Sequence, residues 1–374
     1  MNLAPNRKIA IYAPSLRGGG VERNAINLSR GLAEKGYSVD LVLTRAEGPF
    51  LKEVDDRVNL VDLAASRTLF SIPRLAGYLR KVRPAVMLSG MAHANFAAIV
   101  ARKMAGATCR LVVSVHTCWS VGDGFTENWL DRNTAMIGRI LYPRSDGIVA
   151  VSEAVAADLV KISQLNPATI TVIPNPVAMA GPPVDSGQNP DHPFLQEGGV
   201  PLVVAVGRLS PEKGFDVLLR AHALLLEQGR VHLLILGEGK ERPRLESLVD
   251  ELGSAGQVDM PGFVDSPSKY IAKASVVAMP SRIEGFGNAL VEAMACGVPV
   301  VATKGSGGPG EILAGGRYGP LVPPDDPGAL SRAITEVISN PVAPSELIER
   351  AGDFTVDRVV DRYLEVLFPR EALS

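Results

Sequence analysis

Short apolar runs recur along this chain, spaced so that one helix fits between most consecutive pairs. In the first half they are IAIYA (9–13), VDLVL (39–43), AVMLS (85–89), LVVSV (111–115), IVAV (148–151) and TVI (171–173). Continuous runs of this length suit strands buried on both faces of a parallel sheet. Val21, Ala25, Leu28 and Leu32 share one face of a helix that starts near Val21, and residues 95–105 form another. From 174 to 201 the composition turns to Pro, Gly, Asp, Asn and Ser, a linker signature. The alternation then restarts with LVVAV (202–206), LLIL (233–236), VVAM (276–279) and PVVAT (299–303). The pattern predicts an α/β chain of two Rossmann-like, doubly wound domains, residues 1–175 and 198–352. Ligands of such sheets bind at the carboxyl ends of the strands, so a cleft between the domains is the expected site.

A length of 374 residues fits two domains, and 46% hydrophobic content is ample for two cores. No apolar run reaches the 18 or so residues a membrane-spanning helix needs. The N-terminus leads straight into the run at 9–13, too short for a secretory signal. Cys109, Cys118 and Cys296 are scattered without metal-ligand spacing. A reduced, cytoplasmic setting is therefore expected.

The net charge of −2 conceals an asymmetry. Residues 1–180 hold 21 Lys and Arg against 14 Asp and Glu, whereas 181–374 hold 17 against 26. Residues 67–84 contribute Arg67, Arg74, Arg80, Lys81 and Arg83 and no acid, with Leu69, Phe70, Ile72, Leu75, Tyr78 and Leu79 available for one helical stripe. Either this is an amphipathic helix packed on a sheet, or it docks to an anionic membrane surface. Nucleic acid is not expected, because no binding motif accompanies the charge.

Candidate chemistry concentrates in the second half. The run at 276–279 leads into Ser281, Arg282, Ile283, Glu284, Gly285, Phe286 and Gly287, and a helix opens near Asn288. Free N–H groups at a helix start attract an anion. Glu284 and Glu292 flank that position, and carboxylates accept hydrogen bonds from hydroxyls. Phosphate and sugar together point to a nucleotide sugar. In the stretch 206–214, Arg208 and Lys213 lie near a positive helix end, an unfavourable place that either solvation with Glu212 as partner or a bound diphosphate would offset. Gly237, and Phe263 with Val264 after Gly262, mark turns whose backbone could hold a nucleobase. In the first half, Gly18, Gly19 and Gly20 lie between a strand and a helix without the spacing of a dinucleotide fingerprint. His116 ends the run at 111–115 on the side where sites form, and His93 and Asn95 are weaker candidates.

These segments, in this order, resemble family 4 of the retaining glycosyltransferases, which have the two-domain GT-B architecture. The likeness is carried by GGGVERNAINLSRGLAEKGYSVDLV, VSEAVAADL, IPNPV, VGRLSPEKGFDVLLRA, ILGEG, PGFVDS and PSRIEGFGNALVEAMACGVPVVAT, the last containing the E-x7-E pair Glu284 and Glu292. The resemblance implies that the first domain binds acceptor and the second binds donor, with a final helix near 353–368 crossing back onto the first. It also implies that Arg208 and Lys213 neutralise the donor diphosphate while Gly285, Phe286 and Gly287 offer backbone amides. Asn288 and Leu290 would extend that contact, Glu284 would hold the transferred sugar, and Glu292 the ribose. His116 would face the reacting sugar, and Gly19 would close over the diphosphate.

The expected reaction is transfer of a hexose or N-acetylhexosamine from a nucleotide sugar, expected to be UDP-linked with GDP left open, to a saccharide or a polyprenyl- or lipid-linked saccharide in cell-surface polysaccharide, lipopolysaccharide or glycolipid synthesis. The sequence contains no Asp-x-Asp pair, which agrees with transfer that needs no metal or other cofactor. Residues 117–136, with Trp119, Phe125 and Trp129, are either an acceptor or lipid-contacting loop or a loop folded on the first domain. The expected location is cytoplasmic, at the inner face of the membrane. A nucleotide-sugar epimerase of similar build and a non-catalytic nucleotide-sugar-binding protein are the alternatives.

Overall fold

The computed structural model describes residues 8–120, 134–179, 192–305 and 307–369. The chain divides into two compact units, Met1–Val177 with Thr355–Ser374, and Ala178–Phe354.

The first unit is built on a parallel sheet of β1 (Lys8–Ala13), β2 (Ser38–Leu43), β3 (Asn59–Asp62), β4 (Val86–Gly90), β5 (Arg110–Val115), β6 (Gly147–Ala150) and β7 (Ile170–Val172). Their spatial order is β3-β2-β1-β4-β5-β6-β7. The order reverses between β1 and β4, the switch point where open α/β sheets bind ligands. Right-handed crossovers place helices Ile72–Val82, Ala92–Ala105 and Thr134–Leu141 on one face. Helix Gly20–Glu34 lies on the other, packed against helix Val356–Leu367. These last two helices approach closely at Gly31, where a Cβ would stand 2.6 Å from Val356 and 2.7 Å from Val360. Val359, Val360, Tyr363 and Leu367 are buried in the same core as Ile9, Leu41 and Leu88.

The second unit repeats the plan with β8 (Leu202–Val206), β9 (His232–Leu236), β10 (Val258–Gly262), β11 (Val276–Met279), β12 (Val300–Thr303) and β13 (Leu321–Val322). All pair in parallel in the order β10-β9-β8-β11-β12-β13, with the switch point between β8 and β11. The core gathers Val203, Leu218, Leu233, Ile235, Val276 and Ile334 around this sheet.

Two expectations change. The basic segment is not one continuous stripe: Thr68–Ser71 form a separate 3-10 turn before helix Ile72–Val82. The helix buries Leu75, Ala76, Tyr78 and Leu79, while Leu69 and Phe70 stay exposed. The stretch read as a linker is also folded onto the units at both ends. Asn175 and Pro176 accept hydrogen bonds from Asn24 and Asn27, and Phe194 stacks on His232 with centroids 4.0 Å apart. Among the described residues no helix is long and apolar enough to cross a membrane.

Candidate active site

In the second unit, the loops that leave β8 and β11 at the switch point are tied together by Arg282. Its guanidinium donates to both Asp216 carboxylate oxygens at 2.9 Å, to Asp325 at 2.6 Å and to the Pro211 carbonyl at 2.6 Å. Its backbone N–H reaches the Glu212 carbonyl at 2.8 Å. Burial alone would raise the Asp216 carboxyl, but the Arg282 hydrogen bonds and charge more than offset this and hold it below its ordinary value. The fork geometry of arginine suits such a brace. Sequence reasoning passed over Arg282, because its partners lie on segments far apart in the chain.

The brace sets Lys213 against Glu284. Lys213 Nζ donates to Glu284 Oε2 at 2.6 Å, and Ser281 Oγ donates to the same oxygen at 3.2 Å. Both side chains are partly buried. Arg208, by contrast, is exposed and makes no ion pair among the described residues. Beyond Glu284 the chain passes Gly285 and Phe286 to Gly287, which caps helix Asn288–Ala295 with a φ of 112°. Phe286 packs edge-on against Phe354, and the Leu290 side chain is fully buried with its N–H bonded to the Gly287 carbonyl. Only backbone from Phe286 can therefore meet a ligand, and the Leu290 amide is already engaged. Glu292 is half-buried one turn into the helix.

A third loop, after β12, went unnoticed in the sequence. Gly307 has φ +143°, and a Cβ there would fall 1.4 Å from the Glu284 carbonyl oxygen. The Gly308 N–H donates to the Gly285 carbonyl at 3.2 Å. The signal was the glycine cluster Gly305, Gly307 and Gly308 directly after a strand. Gly237 shows the same need at the end of β9, with φ +147° and a Cβ position 1.9 Å from the Gly207 carbonyl oxygen. Its N–H donates to the Gly262 carbonyl at 2.8 Å, so the turns after β8, β9 and β10 converge. Phe263 is exposed and Val264 half-buried beside them.

In the first unit, His116 follows β5 and lies partly buried near the end of β4, where a Cβ on Gly90 would stand 3.2 Å from its Nε2. Tyr12, Asn24, Gly90, Ser114, His116 and Tyr363 line one small cavity. Burial pushes the His116 imidazole down to about 4, opposed by a side-chain hydrogen bond with Asn175. At neutral pH it is uncharged, a hydrogen-bonding group rather than a cation. Asn175 also accepts from Asn24 Nδ2 at 3.1 Å, which ties His116 to helix Gly20–Glu34. Gly19 is the N-cap of that helix. Asn95 holds structure instead, donating to the Ser114 carbonyl at 2.9 Å and Tyr142 Oη at 3.0 Å. Trp119 packs on Tyr142 with centroids 5.6 Å apart, whereas Phe125 and Trp129 lie outside the described residues.

The depressed His116 value has a measurable consequence. An unfolded chain takes up a proton near 6.5, which folded His116 refuses until about 4. The native chain should therefore lose stability relative to His116→Asn as pH falls through that window. Paired thermal melts test this, and parallel curves would contradict it.

Residues 18–180 match the family described as Glycosyltransferase Family 4, and residues 190–354 match Glycosyl transferases group 1. The chain is 34% identical over 172 residues to a lipopolysaccharide core biosynthesis glycosyltransferase of Rhizobium meliloti, covering 45% of this chain and 49% of that protein. It is 29% identical over 248 residues to a Campylobacter jejuni N-acetylgalactosamine-N,N'-diacetylbacillosaminyl-diphospho-undecaprenol 4-alpha-N-acetylgalactosaminyltransferase, covering 66% of this chain and 65% of that one. These matches thus span about half and just under two thirds of the relatives' lengths. Among solved structures, sucrose-phosphate synthase from Thermosynechococcus elongatus superposes with a TM-score of 0.84 at 22% identity, covering 99% of this chain and 100% of that chain. An Anabaena protein in complex with UDP and glucose gives 0.82 at 22% identity, covering 97% and 99%.

Proposed function

Because the chain belongs to the family 4 glycosyltransferases of GT-B fold, we propose that it moves a hexose or N-acetylhexosamine from a UDP-sugar to a saccharide or lipid-linked saccharide, with retention and without a metal. The observation that carries this reading is the pairing of Lys213 with Glu284 ahead of helix Asn288–Ala295, with Arg208 exposed on the same loop as Lys213. A diphosphate there gains two cations and the helix dipole; the carboxylate meets sugar hydroxyls.

In the step so assigned, the bond from the sugar's anomeric carbon to the diphosphate oxygen breaks as the acceptor oxygen bonds on the same face. The acceptor proton passes to the departing phosphate. Lys213, Arg208 and the amides around Gly287 stabilise the leaving charge, which is the role fixed cations fill well in a closed site. Glu284 holds the transferred sugar and stabilises its developing positive charge. Glu292 is assigned to the ribose, the turns at Gly237, Phe263 and Val264 to the base, and Gly19 to closure over the diphosphate. His116, uncharged, is assigned to the hydroxyls of the sugar. Among the described residues no group of three His, Cys, Asp or Glu is placed to hold a metal ion. The names of the relatives support an acceptor in lipopolysaccharide or undecaprenyl-diphosphate-linked glycan synthesis, which would place the work at the cytoplasmic face of a membrane.

The test is nucleotide release from a panel of UDP- and GDP-sugars, with and without polyprenyl-diphosphate-linked saccharides. UDP release that requires acceptor and survives a chelator is expected. Epimerised donor without acceptor would make the protein an epimerase, and UDP-sugar binding with no turnover on any acceptor would make it a binding protein.

A further inference from the structure

We propose that the helical face of the first unit carrying Thr68–Ser71, Ile72–Val82, Ala92–Ala105 and Thr134–Leu141 docks on an anionic lipid bilayer. From 63 to 122 the chain has eight Lys and Arg and no Asp or Glu. Arg67, Arg80, Lys81, Arg83, Lys103 and Arg139 are exposed on this face and make no ion pair among the described residues. Arg102 differs, being taken up by Asp146.

The same face is unusually apolar for an exposed surface. Of nine exposed large hydrophobic residues among those described, five stand here: Leu69, Phe70, Met104, Met136 and Ile140. Phe70 is 65% exposed, and Met104, Met136 and Ile140 are each more than half exposed. Phe96 and Val100, half-buried, continue the Met104 stripe at four-residue spacing along helix Ala92–Ala105. Scattered single apolar residues need no explanation, but five on one helical layer that also carries these exposed cations do.

The combination selects the occupant. A second copy meeting this face about a twofold axis would set cation against cation. A nucleic acid backbone would satisfy the cations and leave the apolar side chains in water. Anionic headgroups over acyl chains satisfy both.

Flotation of the full chain with vesicles tests this. Binding is expected to vesicles of phosphatidylcholine with phosphatidylglycerol at low salt, and not to phosphatidylcholine alone. Each neutralised cation should lower partitioning about fivefold, so Lys81→Gln, Arg83→Gln and Lys103→Gln combined lower it about a hundredfold. Phe70→Ser, Met136→Ser and Ile140→Ser combined should also release the protein. Both sets should keep UDP affinity, measured by calorimetry, which separates this face from the donor assignment and shows the variants are folded. Absence of flotation with anionic vesicles, unchanged flotation of either set, or a dimer dissolved by the serine set would overturn the proposal.

Discussion

Replacing Lys213 by alanine is expected to lower kcat/KM for transfer by about two to three orders of magnitude and to weaken UDP binding about ten- to a hundredfold. Two effects add. The diphosphate loses a charge-assisted hydrogen bond, and Glu284 loses the cation that holds its Oε2 at 2.6 Å. A partly buried carboxylate is then left facing the position assigned to an anion. Lys213 ends a short 3-10 turn, Pro211–Lys213, outside the sheets and the α-helices, so the fold should survive. Calorimetry with UDP and a thermal melt decide the matter. Unchanged UDP affinity in a folded variant would remove the phosphate assignment.

Glu284→Gln should produce the opposite split. Transfer is expected to fall about a hundredfold or more, because a neutral amide no longer stabilises positive charge developing on the sugar. UDP affinity should hold or rise, since Lys213 is released from its ion pair and stands available to phosphate. Ser281 Oγ, 3.2 Å from Glu284 Oε2, can still donate to the amide oxygen, so the loop keeps its shape. Measuring turnover and UDP affinity on the same preparation distinguishes this from general damage. Near-normal turnover would refute the role of Glu284, and a parallel loss of UDP affinity would assign it to the nucleotide instead.

The buried strands were legible because both faces of each are covered. LVVAV at 202–206 and VVAM at 276–279 coincide with β8 and β11 residue for residue. What escaped notice lies at the edges of the sheets. β3 is short and largely exposed, so Asn59 and Asp62 dilute its pattern, and β13 has only two residues. The Glu284 loop could be read because its residues are contiguous and followed by helix-forming Ala, Leu and Glu. The Arg282 brace and the contact of Gly307 on Glu284 could not. Both depend on segments brought together by the β11–β12 and β8–β11 pairings, which no local spacing encodes. The basic segment was half legible: its composition announced the charge, but only packing shows that Phe70 faces outward while Tyr78 faces in.

The helix Val356–Leu367 has a consequence for how the protein is made. Val359, Val360 and Tyr363 fill the interior shared by β1, β2 and β4, yet they are translated after all of Ala178–Phe354. During synthesis the amino-terminal sheet must therefore wait, with the Gly31 side of its covering helix bare, until the whole of Ala178–Phe354 and then Val356–Leu367 have emerged. Domains ordinarily fold in order of emergence. Here a segment made after the second unit completes the first, so a fragment ending near residue 177 lacks a piece of its own interior.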